Sequence, residues 1–245
     1  MTSNDSMPLG TGPEPSLVHT PQSASSSVAD RLVQQLLRHG LGGAGTLQGA
    51  LKLAARYRAD ARYADTDARV KALIRSHTWM NFGTGFLSGL GGLVTLPIAI
   101  PSAMTASWMI HTRLSGAIAA LHGHDLDDEH VQSFVLLTLL GDAGKQVLRN
   151  AGVTVANRVA LRGIEAIPAR VLSEINKRVG MRLVTTVGER GAVHLARVVP
   201  VAGGVVGGSL DALYCNAVGR RAHAVFGPRP LAAVSIGEGA AAARS

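Results

Sequence analysis

The stretch that decides the fold runs from Ser76 to Thr112 and reads SHTWMNFGTGFLSGLGGLVTLPIAIPSAMTASWMIHT. It contains no Asp, Glu, Lys or Arg, and several glycines and two prolines interrupt it. A straight helix of this length would measure about 55 Å, well beyond the roughly 30 Å hydrocarbon core of a bilayer, so the segment must break. Pro97 and Pro101 mark the place, because each removes an amide donor and disfavours helix in the residue before it. The sequence therefore predicts an apolar helical hairpin that turns at these two prolines.

The rest of the chain also carries a helical pattern. Apolar residues at helical spacing predict further helices over 28–40, 46–58, 65–76, 131–140, 153–167, 169–179 and 181–187. Alternating β-branched runs bounded by hairpin turns are missing, and 183–187 is too isolated to found a sheet. With 245 residues, 47% of them hydrophobic, the chain is long enough to bury one substantial core. We therefore predict a single all-α, multi-helix domain.

The two ends of the chain differ from the middle in composition. Residues 1–28 are rich in proline and serine and lack the positive and apolar regions of a secretory signal. Residues 227–245 begin with the helix-stopping sequence GPRP. We predict a disordered tail over 1–28, a helical domain over 29–226 and a flexible tail over 227–245. Cys215 is the only cysteine, which excludes an intrachain disulfide and favours a reducing, cytoplasmic compartment.

A second glycine-rich apolar run, VVPVAGGVVGGSL, occupies 198–210. It is too short to cross a bilayer, but glycines spaced four residues apart leave one helix face almost free of side chains. Because glycine costs about 1 kcal/mol relative to alanine inside a helix, this repeated use implies close packing against another helix. A glycine-lined helix pair in a soluble core and a hairpin that enters a membrane both account for the pattern. The helix-packing glycines are Gly85, Gly89 and Gly92 on the hairpin and Gly203, Gly204, Gly207 and Gly208 on the second run.

Charged residues interrupt the apolar helices at three places. Their helical spacing favours local ion pairs, of Asp142 with Lys145 and of Glu174 with Lys177 or Arg178. The alternative is the polar pocket of a soluble enzyme or ligand-binding domain, because burying such groups is costly unless they pair or function. That candidate polar site consists of Asp142, Lys145, Glu174, Asn176, Lys177 and Asp211. No nucleophile elbow, P-loop, dinucleotide fingerprint or HExxH motif is present, so we assign no catalytic residue and no cofactor.

The segment HGHDLDDEH, residues 122–130, admits two interpretations. Its carboxylates lie where a helix should begin. We expect Asp125 to be the N-cap and Asp128, three residues later, to be the second residue of a capping box. The alternative is a metal site formed by His122, His124, His130 and the carboxylates. An EF-hand is excluded, because the loop counted from Asp125 lacks the required glycine and glutamate. No recurring zinc-ligand spacing is present either. We therefore predict helix capping and no metal.

The chain has a net charge of +8, mostly from arginine, which points to anionic partners. Basic clusters with interleaved aromatic residues are absent, so nucleic acid is an unlikely partner. An anionic membrane surface, or a membrane protein, is the partner that fits the apolar hairpin. Trp79 and Trp108, with Arg75 and Arg113 at the ends of the uncharged stretch, are the expected anchors at the headgroups.

Three blocks of the sequence resemble the EcsC family of bacterial proteins. They are GFLSGLGGLVTLPIAIPSAMTASWMIHTRLSGAIAALHGHDLDDEHVQSFVLLTLLGDAGKQVL, IPARVLSEINKRVGMRL and VVPVAGGVVGGSLDA, and the resemblance covers about 79–226. The family is named for a protein encoded beside the parts of an ABC transporter and has no established enzymatic activity. The family-typical positions are Gly89, Pro97, Pro101, Asp125, Asp142, Lys145, Pro168, Asn176, Lys177, Gly180, Pro200, Gly204, Gly208 and Asp211. The resemblance implies a helical domain that is associated with a membrane.

Together these observations predict a non-enzymatic, membrane-associated helical protein, accessory to a transporter or another membrane process. Its hairpin would dock on, or dip into, the cytoplasmic leaflet. The alternative that stays open is the soluble enzyme or ligand-binding domain with the candidate polar site.

Overall fold

The computed structural model describes residues 21–45, 47–90, 96–155, 167–194, 200–227 and 234–236. These residues confirm the all-α prediction. The helices are α1 (Pro21–Gln35), a π-helical segment (Leu36–Leu41), α2 (Ala50–Arg58), α3 (Thr66–Leu90), α4 (Leu96–Leu121), α5 (Glu129–Leu140), α6 (Asp142–Asn150), α7 (Ala169–His194) and α8 (Pro200–Phe226). Two short antiparallel strand pairs complete the described elements, β1 (Gly43–Ala44) with β2 (Leu47–Gln48) and β3 (Val153–Val155) with β4 (Val234–Ile236).

The start of α5 shows how a local signal sets a helix boundary. Asp128 is the N-cap, and its carboxylate accepts a 2.7 Å hydrogen bond from the amide of His130. Asp125, which we predicted to be the cap, instead accepts from the amide of Asp127 within the preceding turn. The acidic cluster therefore starts the helix, as expected, but the cap lies three residues further along the chain.

The largest helix-to-helix contact joins α3 and α8, which run antiparallel. Asp67 lies near His223, and the amide of Asn81 donates to the Sγ of Cys215 over 3.4 Å. α4 also runs antiparallel to α3, because His77 contacts Arg113. The C-terminal half of α3 and the N-terminal halves of α4 and α8 thus share one end of this layer, which we call the distal end.

Close helix packing relies on glycines outside the set predicted for helix packing. A Cβ at Gly40 would lie 2.7 Å from the side chain of Thr112, and one at Gly180 would lie 2.7 Å from the carbonyl oxygen of Ala29. The π-helical segment therefore rests directly on α4, and α1 rests directly on α7. A Cβ at Gly219 would lie 2.7 Å from Ile74, which marks the equivalent contact between α8 and α3.

The helices with the predicted glycine faces, α3 and α8, do pack together. Gly208 is buried and Gly207 is half-buried. Gly208 lies about three turns before Gly219 on the same face of α8. Gly92 lies outside the described residues.

Several predicted boundaries differ from the structure. Pro97 and Pro101 lie inside the first turns of α4, which begins at Leu96, so the chain does not turn at them; 91–95 lie outside the described residues. Pro97 sits in the first helical turn, where a missing amide costs nothing. α7 continues through Gly180, so one helix replaces the two predicted over 169–187.

The predicted ends of the domain also differ. α1 begins at Pro21, inside the segment predicted as a disordered tail. β3 occupies the start of the helix predicted over 153–167, and 156–166 lie outside the described residues. β4 lies in the predicted C-terminal tail and pairs with β3. Strands of three residues carry too little alternation to be seen in a sequence.

Candidate functional site

The structure distributes the candidate polar site over three helices. On α6, Asp142 and Lys145 form an ion pair of 3.3 Å, and their side chains are 90% and 76% exposed. On α7, Glu174 pairs with Arg178 at 2.7 Å, while Lys177 is exposed. Both pairs are local ion pairs of the kind that the helical spacing of these residues favours.

The remaining members of the set lie apart from those ion pairs. Asn176 on α7 is half-buried, and its side-chain oxygen is buried without a hydrogen-bond partner among the described residues. Asp211 on α8 is exposed. A cavity of about 270 Å³ does lie over the glycine-rich loop from Gly42 to Gly49 and reaches Lys52, but none of the predicted residues lines it.

Two of the four expected membrane anchors are in the core. Trp108 is 2% exposed and Arg113 is 7% exposed, so neither is placed to reach lipid headgroups. Trp108 belongs to the main hydrophobic cluster, and Arg113 donates to the imidazole of His77 and to the carbonyl of Gln48. The sequence could not show this, because both residues are covered by elements distant in the chain.

The other Trp lies on an exposed apolar surface that sequence reasoning located only in part. Trp79 is 69% exposed on α3, and Leu213 is 68% exposed on α8, at the same level of the antiparallel pair. The large exposed apolar side chains of these two helices are Trp79, Met80, Val205, Leu210 and Leu213, and we call this set the distal apolar surface.

Cations border the distal apolar surface on the side toward the body of the domain. Lys71 and Arg75 are exposed and precede Trp79 at intervals of four residues, so they follow one stripe of α3. Arg220 is exposed on α8, about two turns beyond Leu213. Among the described residues, no helix has both the length and the hydropathy that are needed to span a bilayer.

A buried polar cluster connects α3, α4 and α8 beneath that surface. The Nδ1 of His77 is 3.1 Å from the carbonyl of Leu73, and its Nε2 is 3.0 Å from the guanidinium of Arg113. This arrangement requires a neutral His77 that donates at Nδ1 and accepts at Nε2. Burial, and secondly the charge of Arg113, lowers the pKa of His77 to about 4, in agreement. Asn81 donates to the carbonyl of His77 and to Cys215.

The same cluster contains two further groups held in their neutral forms. Burial lowers the pKa of His111 to about 4, and its ring packs edge-on against Tyr214 with centroids 4.8 Å apart. Burial raises the pKa of the Cys215 thiol to about 12, so the thiolate needed for nucleophilic chemistry does not form near neutral pH. The cluster therefore behaves as a hydrogen-bonded part of the core.

A histidine cluster occupies the opposite end of α3, α4 and α8. The Nε2 of His122 lies 3.1 Å from the Nδ1 of His223, and the Nε2 of His223 lies 3.8 Å from a carboxylate oxygen of Asp67. Burial, and then the proximity of His223, lowers the pKa of His122 to about 4. One ligand atom from each of the three residues lies within 4.8 Å of the others.

The residues of the alternative metal site, His122, His124 and His130 with the nearby carboxylates, do not gather into one cluster. His130 contacts its neighbour Asp128 and the carbonyl of Ile167, and His124 contacts the carbonyl of Phe226. Only His122 of the predicted set joins a cluster with ligand spacing. Its partners Asp67 and His223 carry no sequence signal, because they stand on other helices, far away in the chain.

Comparison with known proteins gives no relative: no family model, no curated protein and no solved structure matches this chain.

Proposed function

We propose that this chain is a non-enzymatic, membrane-associated helical protein of the EcsC type that serves a transporter or another membrane process. The distal apolar surface docks it on the anionic cytoplasmic leaflet. The observation that carries this proposal is the exposure of Trp79 and Leu213 at the same level of the α3–α8 pair, with further exposed apolar side chains at Met80 and Leu210 and exposed cations on the body side.

The order of residues along both helices supports a defined orientation. On α3 the exposed cations Lys71 and Arg75 come before Trp79, and on α8 the exposed cation Arg220 lies on the body side of Leu213. Tryptophan is enriched at the headgroup level, and lysine and arginine favour the anionic surface just outside it. With the distal end toward the membrane, each type of side chain lies at the depth that it prefers.

The uncharged stretch supports the same orientation. Beyond Trp79 the sequence has no charged residue until Arg113, and 198–210 are uncharged on the α8 side. These uncharged segments include the distal ends of α3, α4 and α8, so an approach of that end to the bilayer brings no charged side chain into the hydrocarbon.

The expected strength of binding follows from these contacts. Partial burial of each exposed apolar side chain contributes about 1 kcal/mol, less than the 1.5–3 kcal/mol for full burial. Each cation near an anionic surface contributes about 1 kcal/mol. The total of about 8 kcal/mol, before the cost of association, corresponds to reversible binding no tighter than roughly micromolar. A peripheral, exchangeable association fits this value.

Flotation of the purified full-length protein with vesicles tests the proposal. Vesicles with anionic lipid should carry the wild type to the top of the gradient, and the double variant Trp79→Ser/Leu213→Ser should remain at the bottom. The matched control is Leu51→Ser, because Leu51 is 61% exposed but lies on α2. The control should float like the wild type.

Charge variants separate the two contributions to binding. Lys71→Gln/Arg75→Gln should weaken flotation on anionic vesicles, and raised salt should do the same, because the Coulomb attraction is screened. Wild-type protein that stays at the bottom with anionic and neutral vesicles alike contradicts docking on lipid. A membrane protein would then be the partner to test against the same surface.

The alternative of a ligand-binding pocket has less support. Its members Asp142, Lys145 and Asp211 are exposed on α6 and α8, and local ion pairs account for Asp142 with Lys145 and for Glu174.

A further inference from the structure

Three helices end at the face opposite the distal apolar surface, and each contributes one metal-ligating side chain there. Asp67 lies in the first turn of α3, His122 follows the last residue of α4, and His223 lies in the last turn of α8. We propose that these three side chains form a binding site for a divalent transition metal of the zinc class, with the fourth position open to solvent.

The spacing of the ligand atoms suits such an ion. Zinc binds nitrogen at about 2.0–2.1 Å, so two tetrahedral ligands lie roughly 3.3 Å apart. The His122 and His223 nitrogens are already 3.1 Å apart. All three ligand atoms lie within 4.8 Å of one another, so Asp67 needs to close by up to about 1.5 Å to reach that spacing. A rotation of its side chain, which is 53% exposed, supplies that movement.

The local field also favours a cation. The C-terminal end of a helix carries roughly half a negative charge and the N-terminal end roughly half a positive charge, so the ends of α4 and α8 together outweigh the start of α3 at this site. His122 and His223 sit at those two ends, and the carboxylate of Asp67 adds a full negative charge. The neighbouring His124 is held by the carbonyl of Phe226 at 2.8 Å, so it is not one of the ligands.

The donor set decides the class of metal. Two imidazoles with one carboxylate suit zinc and other borderline divalent ions, whereas magnesium and calcium prefer oxygen ligands throughout. Half-buried His122 and His223 provide the nitrogens, and exposed Asp67 leaves an entry path from solvent. A bound ion would join α3, α4 and α8 at the end that lies away from the membrane.

The test uses untagged full-length protein and the metal alone. Titration of Zn²⁺ in competition with a chromophoric chelator should give one equivalent bound. Asp67→Asn and His223→Asn should each weaken binding at least about tenfold. The matched controls are Asp30→Asn and His39→Asn, which change the same residue types on α1 and the π-helical segment. Both controls should bind like the wild type.

Two further readouts keep the outcome clear if a variant is unstable. Zn²⁺ should raise the Tm of the wild type and of both controls and leave the Tm of Asp67→Asn nearly unchanged. Co²⁺ in place of Zn²⁺ should give the visible absorption of a tetrahedral site in the wild type and in both controls, but not in Asp67→Asn or His223→Asn. Wild-type protein that binds no zinc, or Asp67→Asn and His223→Asn that bind it as tightly as the wild type, overturns the proposal. Vesicle flotation of Asp67→Asn should be unaffected, because the site is remote from the distal apolar surface.

Discussion

The contact between Gly219 and Ile74 gives the sharpest prediction about the α3–α8 pair. A Cβ at Gly219 would lie 2.7 Å from Cγ1, 3.1 Å from Cγ2 and 3.2 Å from Cδ1 of Ile74. Carbon atoms prefer separations of about 3.5–4.0 Å, so the nearest approach is about 1 Å too short. Overpacking of this kind costs about 1–3 kcal/mol, and the change from glycine to alanine in a helix returns about 1 kcal/mol. Gly219→Ala should therefore lower the free energy of unfolding by about 1 kcal/mol.

Gly83 supplies the matched control, because it lies on α3 and a Cβ there would meet nothing within 4 Å. Gly83→Ala should raise the free energy of unfolding by about 1 kcal/mol through helix propensity alone. Urea denaturation followed by helical circular dichroism should thus separate the two alanine variants by about 2 kcal/mol. Ile74→Ala should reduce the penalty of Gly219→Ala in a double-mutant cycle. Equal stability of the two variants would refute the packing argument.

Three further predictions concern the core. Gly208→Leu should be strongly destabilising, because position 208 is buried and lies on the same face of α8 as Gly219. If Gly208→Leu melts at the wild-type temperature in detergent, that face of α8 points outward. The free energy of unfolding should be at its maximum above the ordinary histidine pKa of 6.5 and should fall as the pH drops toward about 4, because the unfolded chain binds protons there while buried His77 and His111 stay neutral. The urea midpoint measured against pH should show this fall, and His111→Phe should make it less steep. Cys215 should resist alkylation in the native protein near neutral pH and react once urea unfolds it; rapid native labelling would contradict its burial.

The helical class follows from local pattern, and for that reason the sequence could predict it. Apolar spacing and the Asp128 start signal act within a few residues, so α5 begins close to where it was expected. Pro97 was misread because proline both ends helices and starts them, and here it lies in the first turn of α4. The helices α3 and α8 pack together, but the close contact that the described residues show is at Gly219, and whether the predicted glycine faces meet stays a prediction.

The burial of individual side chains depends on contacts between elements that are far apart in the chain, and the sequence alone does not show which elements meet. Trp108 and Arg113 stand at the end of the apolar stretch, yet α2 and the loop before it cover that part of α4, with Gln48 accepting from Arg113. His122 and His223 are 101 residues apart, and only the packing of α4 with α8 brings them together. No rule about the spacing of residues along the sequence could therefore predict the cluster of Asp67, His122 and His223.

The most direct test of membrane docking is the fluorescence of Trp79. The chain has two tryptophans, of which Trp79 is 69% exposed and Trp108 is 2% exposed, so Trp79→Phe leaves only the buried ring. Addition of anionic vesicles with brominated acyl chains should shift the wild-type emission to the blue and quench it, while the emission of Trp79→Phe stays nearly constant. Wild-type emission that does not change at saturating anionic lipid would contradict the account.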